Sequence, residues 1–307
     1  VRARSTALSF FFAFAVCLTW IAAPHPARAA APSPKVYLNL PEAERSAALR
    51  SYAATRDSLR AHGVDRIYPQ FALDMAKYPR QGVAHRNVLV VLCKFPAEGG
   101  SPAAGPASVS TPRYVYNHLF SDDPKDGLTS LREYYRANSN GRLVISGFVT
   151  SDWLEMPHGY SYYVNDYAGL NFGAYPHSAQ KLAEDAMTAA YHDFDDNLKF
   201  FDNDGPDGIP SSGDDDGYID AVMVICPGAG GETSCSDPVG CQRLWAHESG
   251  IALYSDCPDP GAGAGCLPGL PLGSVRGFLY NLGSEYNDYP GDNAAGTWFH
   301  EFSHTLG

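Results

Sequence analysis

Positive charge is scarce in this chain. Its 307 residues hold 22 Lys and Arg against 34 Asp and Glu, a formal net charge of −12. That balance argues against a nucleic acid or an anionic membrane as partner. Cysteine is scarce too, with seven in all. No two of them are spaced C-x-x-C, so a cysteine-built zinc site is not expected. There is no internal repeat and no low-complexity tract. What is present is ordinary for a globular protein: 45% hydrophobic and 12% aromatic residues, enough for a sizeable core in one large domain or two small ones.

The first 29 residues read as a secretory signal peptide. Arg2 and Arg4 form a positive start, an apolar run follows from Ala7 to Ala23, and Ala27-Arg28-Ala29 gives a small-x-small cleavage site. No stable membrane insertion is expected after cleavage, and the protein is expected to be secreted. Export permits disulfides. Cys235 with Cys241 and Cys257 with Cys266 each span a short Gly/Pro-containing loop and are the expected local bridges. Cys93 and Cys226 each end an apolar strand, and either pair or remain buried thiols. Residues 30–86 carry a charged helix with Asn39 as N-cap and Gly63 as stop. Their place between a signal and the first core strand marks them as a propeptide.

From residue 87 the pattern changes. "NVLVVLCKF" (87–95) is a continuous apolar run, the mark of a strand buried on both faces. "SLREYYRAN" follows a capping box, Ser130 with Glu133. "RLVISGFVT" (142–150) reads as a second strand and "YIDAVMVICPG" (218–228) as a third. Residues 176–194 form an amphipathic helix whose face of Ala179, Leu182, Ala183, Ala186, Met187 and Ala190 suits close packing on a sheet. Residues 274–283 read as a weaker, partly exposed strand, and a last helix runs from about Thr297. Strands alternating with helices predict an α/β (α+β) fold, a mixed sheet with helices against it.

Two clusters carry chemistry. In "FHEFSHTLG" (299–307), His300 and His304 lie one helical turn apart on one face and can share a metal, and imidazole suits zinc. Glu301 lies about 100° further round. That is too far for an easy third ligand, but it can reach a water activated by the metal. This is the division of labour in H-E-x-x-H hydrolysis, with metal as Lewis acid and glutamate as general base. His247, Glu248, Glu285, Asp288 and Asp292 are upstream carboxylates and imidazole that could in principle complete a ligand set. The second cluster, "FDNDGPDGIPSSGDDDGYID" (201–220), places Asp202, Asp204, Asp207, Asp214, Asp215, Asp216 and Asp220 among Gly, Pro and Ser. Crowded carboxylates in a flexible loop suit calcium, of which Asp202, Asp204, Asp207, Asp214, Asp216 and Asp220 are the expected ligands. No Glu stands twelfth from Asp202, so this is not an EF-hand.

Taken in order, "NVLVVLCKFP", "SLREYYRANSNGRLVISGFV", the aspartate block through "AVMVICPGAGGE", "LWAH" and "GTWFHEFSHTLG" resemble the immune inhibitor A-like secreted metallopeptidases, the sixth metallopeptidase family, over about residues 85–307. The resemblance implies a zincin-like fold with a twisted sheet, a backing helix (176–194) and an active-site helix. It implies His300 and His304 as zinc ligands, Glu301 as general base, an N-terminal propeptide and bound calcium. The family pattern usually has Gly where this chain has Ser303. It continues past the glycine into Leu-Pro-Asp, whose aspartate would be the third ligand, beyond Gly307. Residues 87–307 are thus expected to be a metallopeptidase domain cut short at its C-terminal end.

The expected activity is zinc-dependent endopeptidase cleavage of protein or peptide substrates. An extended substrate would add to an exposed sheet edge, assigned to residues 274–282. Residues 30–86 contain no cysteine, so latency would need a carboxylate such as Asp65 or Asp74 on the zinc. The competing class is a non-catalytic, calcium-stabilised adhesion or binding module with a degenerate metal site.

Overall fold

The valine-rich run opens the sheet as β1 (Ala84–Lys94). Its alternate side chains enter two different cores. Leu89, Val91 and Cys93 go to one face, and Val88, Val90 and Leu92 to the other. Burial on both sides is why the run has no polar alternation. The computed structural model describes residues 83–97, 107–122, 129–195, 197–205, 207–251, 269–292 and 294–306. The expected signal peptide, nearly all of the expected propeptide with Asp65 and Asp74, the Cys257–Cys266 bridge and Gly307 lie outside the described residues.

After β1 come α1 (Pro112–Phe120) and α2 (Leu131–Asn138), followed by β2 (Leu143–Val149) and the short β3 (Leu154–Glu155). The capping box forms as the sequence predicts, the Ser130 hydroxyl accepting from Glu133 N–H at 3.1 Å. Helix α1 falls at the end of a stretch that reads as loop from sequence. Its start is nevertheless written there: Thr111 caps the helix, accepting from Tyr114 N–H, and Pro112 occupies the first turn. Next come α3 (Tyr160–Val164) and α4 (Ala179–Asp193). Helix α4 starts three residues later than predicted, after Ser178. Then follow β4 (Ala221–Ala229), α5 (Gly231–Ser234), β5 (His247–Gly250), β6 (Leu270–Leu272), β7 (Val275–Gly277), β8 (Leu279–Tyr286) and α6 (Ala295–Thr305).

The main sheet runs β2-β1-β4-β8-β5, with β3 also pairing with β1. All its pairings are parallel except β5 with β8, which is antiparallel. The fold is therefore α/β with a mixed sheet between two helical layers. Helix α4 backs one face through Leu182, Ala183, Ala186 and Met187. Helices α1, α2 and α6 cover the other through Val115, Leu119, Leu131, Trp298 and Phe302. Among the described residues, no helix is long and apolar enough to cross a membrane.

The segment 274–283 is corrected in two ways. It is not one strand: Val275–Gly277 pairs with Leu270–Leu272 in a separate hairpin, and Leu279 begins a different strand. Nor is β8 an edge, because β4 flanks it on one side and β5 on the other. Among the described residues, the edge on that side belongs to β5, with β2 at the opposite edge, and the β5 sequence "HESG" is too short and polar to announce a strand.

Gly283 lets α6 approach the sheet. A Cβ there would lie 2.8 Å from Trp298 Cδ1 and 3.1 Å from its Nε1, and Trp298 is fully buried with no room to retreat. Gly283→Ala is expected to cost about 1–3 kcal/mol of stability through overpacking. Urea unfolding would measure this, and a loss under about 0.5 kcal/mol would contradict the close approach.

Candidate metal centre

Helix α6 is placed by four interactions that differ in kind. Trp298 inserts over Gly283 and its Nε1–H donates to Ser284 O at 2.7 Å. Asn281 Nδ2–H donates to Thr305 Oγ1 at 2.9 Å, while the Thr305 hydroxyl donates back to Asn281 Oδ1 at 3.1 Å. Asn281 also donates to Val222 O at 3.2 Å, so one buried amide ties β4, β8 and α6 together. From the other side, the Tyr135 hydroxyl of α2 donates to Phe299 O at 2.7 Å, one residue before His300. Tyr134 and Tyr135 pack their rings on Phe299 and Phe302. Ser303 is exposed and its hydroxyl donates to His300 O at 2.6 Å, so a serine fits where a glycine would.

This docking sets the rotation of the helix. Trp298, Glu301 and Thr305 turn towards the sheet and are buried, while His300 and His304 are half-buried beside them. The two imidazole rings stand 5.1 Å apart, nearly perpendicular. Ligand-type atoms of His300, Glu301 and His304 all lie within 4.8 Å of one another. His300 Nε2 and both carboxylate oxygens of Glu301 are buried without a hydrogen-bond partner. Glu301 is only 2% exposed. Leaving so many polar atoms unmet at one point is costly unless something else satisfies them.

The electrostatics point the same way. Burial, and then the negative charges of Glu232 and Glu248, push the Glu301 carboxyl up to about 8. Burial also raises Glu232, which accepts from Ala246 N–H at 3.1 Å and from the Ser284 hydroxyl at 3.4 Å. A cation at the His300–His304 pair would reverse this logic by favouring the ionised carboxylates. The two imidazoles suit zinc, and the Glu301 carboxylate beside them is placed for a water bound to it. The residues present thus fit a metal on the strength of their orphaned atoms.

The other sequence candidates lie elsewhere or are already engaged. His247 is fully buried, its Nδ1–H donating to Trp245 O at 2.7 Å and its Nε2 accepting from the Tyr280 hydroxyl at 3.0 Å. Burial holds it down to about 4 and hence neutral. Glu285 accepts from Gly228 N–H at 3.2 Å, Val109 N–H at 2.8 Å and Ser110 N–H, so it pins the segment before α1 to the sheet. Asp292 accepts from Asp288 N–H at 3.2 Å and closes a turn before α6. Glu248 sits on the edge strand opposite Asn281, close enough for its charge to act on Glu301. Glu232, the nearby carboxylate that sequence reasoning missed, follows β4 in a four-residue helix. Its only sequence signal is the "GGE" closing the apolar strand.

The aspartate block divides. Asp202, Asp204 and Asp215 bring carboxylate oxygens within 4.8 Å of one another. Asp216 adds its charge: burial, then Asp216, Asp215 and Asp204, raise the Asp202 carboxyl to about 7. Asp202 Oδ1 and Asn203 Oδ1 are buried without partners. The remaining three do other work. Asp220 accepts from Asn87 N–H at 2.6 Å and Asn203 N–H at 3.0 Å, tying β1 to the loop. Asp207 accepts from Ile209 N–H at 2.8 Å, and exposed Asp214 accepts from the Ser212 hydroxyl. The cluster therefore includes Asp215, which was not among the expected ligands, in place of Asp207, Asp214 and Asp220.

A helix that carries H-E-x-x-H against the sheet, beside an antiparallel edge strand, is an arrangement that metallopeptidases use. Residues 111–307 match the family model described as immune inhibitor A peptidase M6, catalytic domain, and the chain belongs to that family. It is similar to immune inhibitor A of Bacillus thuringiensis subsp. alesti, 29% identical over 198 residues, 62% of this chain and 27% of that protein. It is also similar to the pre-pro-metalloprotease PrtV of Vibrio cholerae serotype O1 (strain M66-2), 26% identical over 204 residues, 64% of this chain and 21% of that protein. The chain spans about a quarter of the length of these relatives.

The buried neutral His247 generates a pH prediction. Its folded pKa of about 4 lies below the unfolded value of 6.5. Between those values the unfolded chain binds the extra proton, so stability rises with pH across this window and is lost as pH falls through it. The contribution is on the order of 3 kcal/mol. His247→Gln should flatten the stability profile between pH 4 and 6.5 in denaturant titrations. An unchanged slope would show that His247 is not the group responsible.

Proposed function

We propose that this protein is a secreted zinc endopeptidase in which His300 and His304 hold the metal and Glu301 is the general base. The observation that carries the reading is the convergence on α6 of His300 Nε2 and both Glu301 oxygens, buried and without partners. Family membership supports a metal-dependent peptidase. Export rests on the N-terminal sequence pattern, and latency on residues 30–86 acting as a propeptide.

Substrate binds by strand addition. The edge strand β5 lies next to β8, which carries α6 on its surface, so an extended peptide laid along β5 passes beside the metal ligands. Zinc held by His300 and His304 would supply Lewis acidity at the scissile carbonyl and at its bound water. Glu301 takes the proton from the attacking water and delivers it to the leaving nitrogen as the C–N bond breaks. Asn281 and Tyr135 hold α6 so that the imidazoles and this carboxylate keep their mutual geometry. Burial of Glu301, with the charges of Glu232 and Glu248 nearby, keeps its carboxylate basic enough to accept that proton.

The full-length protein carrying Glu301→Gln is expected to retain one equivalent of zinc by elemental analysis. Its casein hydrolysis should fall by at least about a hundredfold, the usual worth of a general base. Undiminished turnover would remove Glu301 from the mechanism.

The aspartate loop is assigned to calcium, with Asp202, Asp204 and Asp215 as carboxylate ligands and Asn203 Oδ1 as a neutral oxygen. Calcium acts there on stability. Adding millimolar calcium to the chelated protein should raise the melting temperature by several degrees. Asp202→Ala should abolish that rise, and an equal rise in the variant would refute the assignment.

A further inference from the structure

Two thiols meet at the centre of the sheet. Cys93 ends β1 and Cys226 lies in β4, neighbours paired in parallel with Leu92 opposite Ile225. The register sets Cys93 beside Cys226, and both side chains enter the core facing α4. Their sulfurs are 3.1 Å apart. Adjacent strands are spaced about 4.8 Å apart, inside the Cα separation of about 4.4–6.8 Å that a disulfide spans. Both residues are buried, 0% and 3% exposed. Neither belongs to the metal centre, and no other cysteine among the described residues lies beside them, since Cys235 and Cys241 are joined to each other.

The geometry points to an oxidation site: Cys93 and Cys226 form a cross-strand disulfide that locks β1 to β4 in the exported protein. The inference rests on the export reading, because a reducing cytosol would keep the pair as thiols. The oxidant is the active disulfide of an exported thiol oxidoreductase. One cysteine thiolate attacks that disulfide and forms a mixed disulfide. The second thiolate attacks the protein sulfur of the mixed disulfide and expels the oxidoreductase thiolate. Two protons leave the cysteines, the pair loses two electrons, and the oxidoreductase gains them as a dithiol.

Burial fixes when this happens. In the closed sheet no oxidoreductase can reach either sulfur, and burial holds the Cys226 thiol well above its usual range, which disfavours the attacking thiolate. The bond therefore forms while β1 and β4 are still open, and sheet closure then shields it from reductants. The lock sits two residues before Gly228, whose N–H is held by Glu285. That is the sheet end leading into Glu232 and the edge strand, so the bond braces the strand that delivers the site.

The experiment uses full-length protein exported by its host, purified without reductant, denatured in iodoacetamide and mapped by mass spectrometry. The expected result is a linked peptide pair containing Cys93 and Cys226, 2 Da below the sum of the two thiol peptides and unalkylated until reduced. The Cys235–Cys241 bridge is the internal control. If it is linked while Cys93 and Cys226 are both alkylated, the lock is overturned and export stands. If all four are alkylated, the export reading fails and the lock with it. Native protein should keep the bond in millimolar dithiothreitol and lose it only on unfolding. Cys93→Ser/Cys226→Ser should lower the melting temperature by roughly 10 °C, the shift expected for losing a cross-link over so long a loop. An equal melting temperature for oxidised wild type and the double variant would contradict a bracing role.

Discussion

Everything at the candidate metal centre depends on how α6 seats on β8. A helix displaced by a fraction of a turn would send His300 and His304 to different places and release Glu301 into solvent. Three elements prevent that rotation. Gly283 opens a slot, and Trp298 fills it while donating to Ser284 O. Asn281 and Thr305 exchange hydrogen bonds in an apolar setting, where a wrong angle would strand both groups. Tyr135 holds the Phe299 carbonyl from α2. The unmet polar atoms of His300 and Glu301 are the counterpart of this rigidity: their helix is too firmly held to turn them to solvent.

The same economy appears in the acidic residues. Where carboxylates accept several backbone N–H groups, as Glu285 and Asp220 do, they are structural and join distant segments. Where oxygens are left unmet, as at Asp202 Oδ1 and both oxygens of Glu301, burial and then neighbouring negative charge push the carboxyl up. The chain's acidity is thus not spread evenly. Among the described residues, unmet carboxylate oxygens gather at Asp202 and at Glu301, far apart in sequence and carried by different elements.

Much of this was legible beforehand. The stretches 88–93 and 221–226 are apolar at every position because β1 and β4 are covered on both faces, and the 3.6-residue stripe of Ala and Leu marked α4. The spacing of His300, Glu301 and His304 needed only helical geometry. What sequence could not supply was pairing. Residues 274–283 look like an exposed edge because they mix Gly, Arg and Asn with apolar residues. Asn281 is polar for a different reason, to bind Thr305, and Gly283 is small to admit Trp298. Strand β5 was invisible because an edge strand of four residues needs no hydrophobic alternation when it is held by one neighbour. The aspartate loop misled in detail for a similar reason, since sequence cannot tell which of its carboxylates the turns bring together. Glu232 escaped notice because it reaches the centre from another strand's end.

The most direct test of the account is zinc K-edge X-ray absorption on the intact, full-length protein as purified. The account predicts a spectrum with two imidazole nitrogens at about 2.0–2.1 Å, and loss of one imidazole shell in His304→Ala. A zinc environment without histidine scattering, or one unchanged by that substitution, would contradict the claim that α6 builds the metal centre.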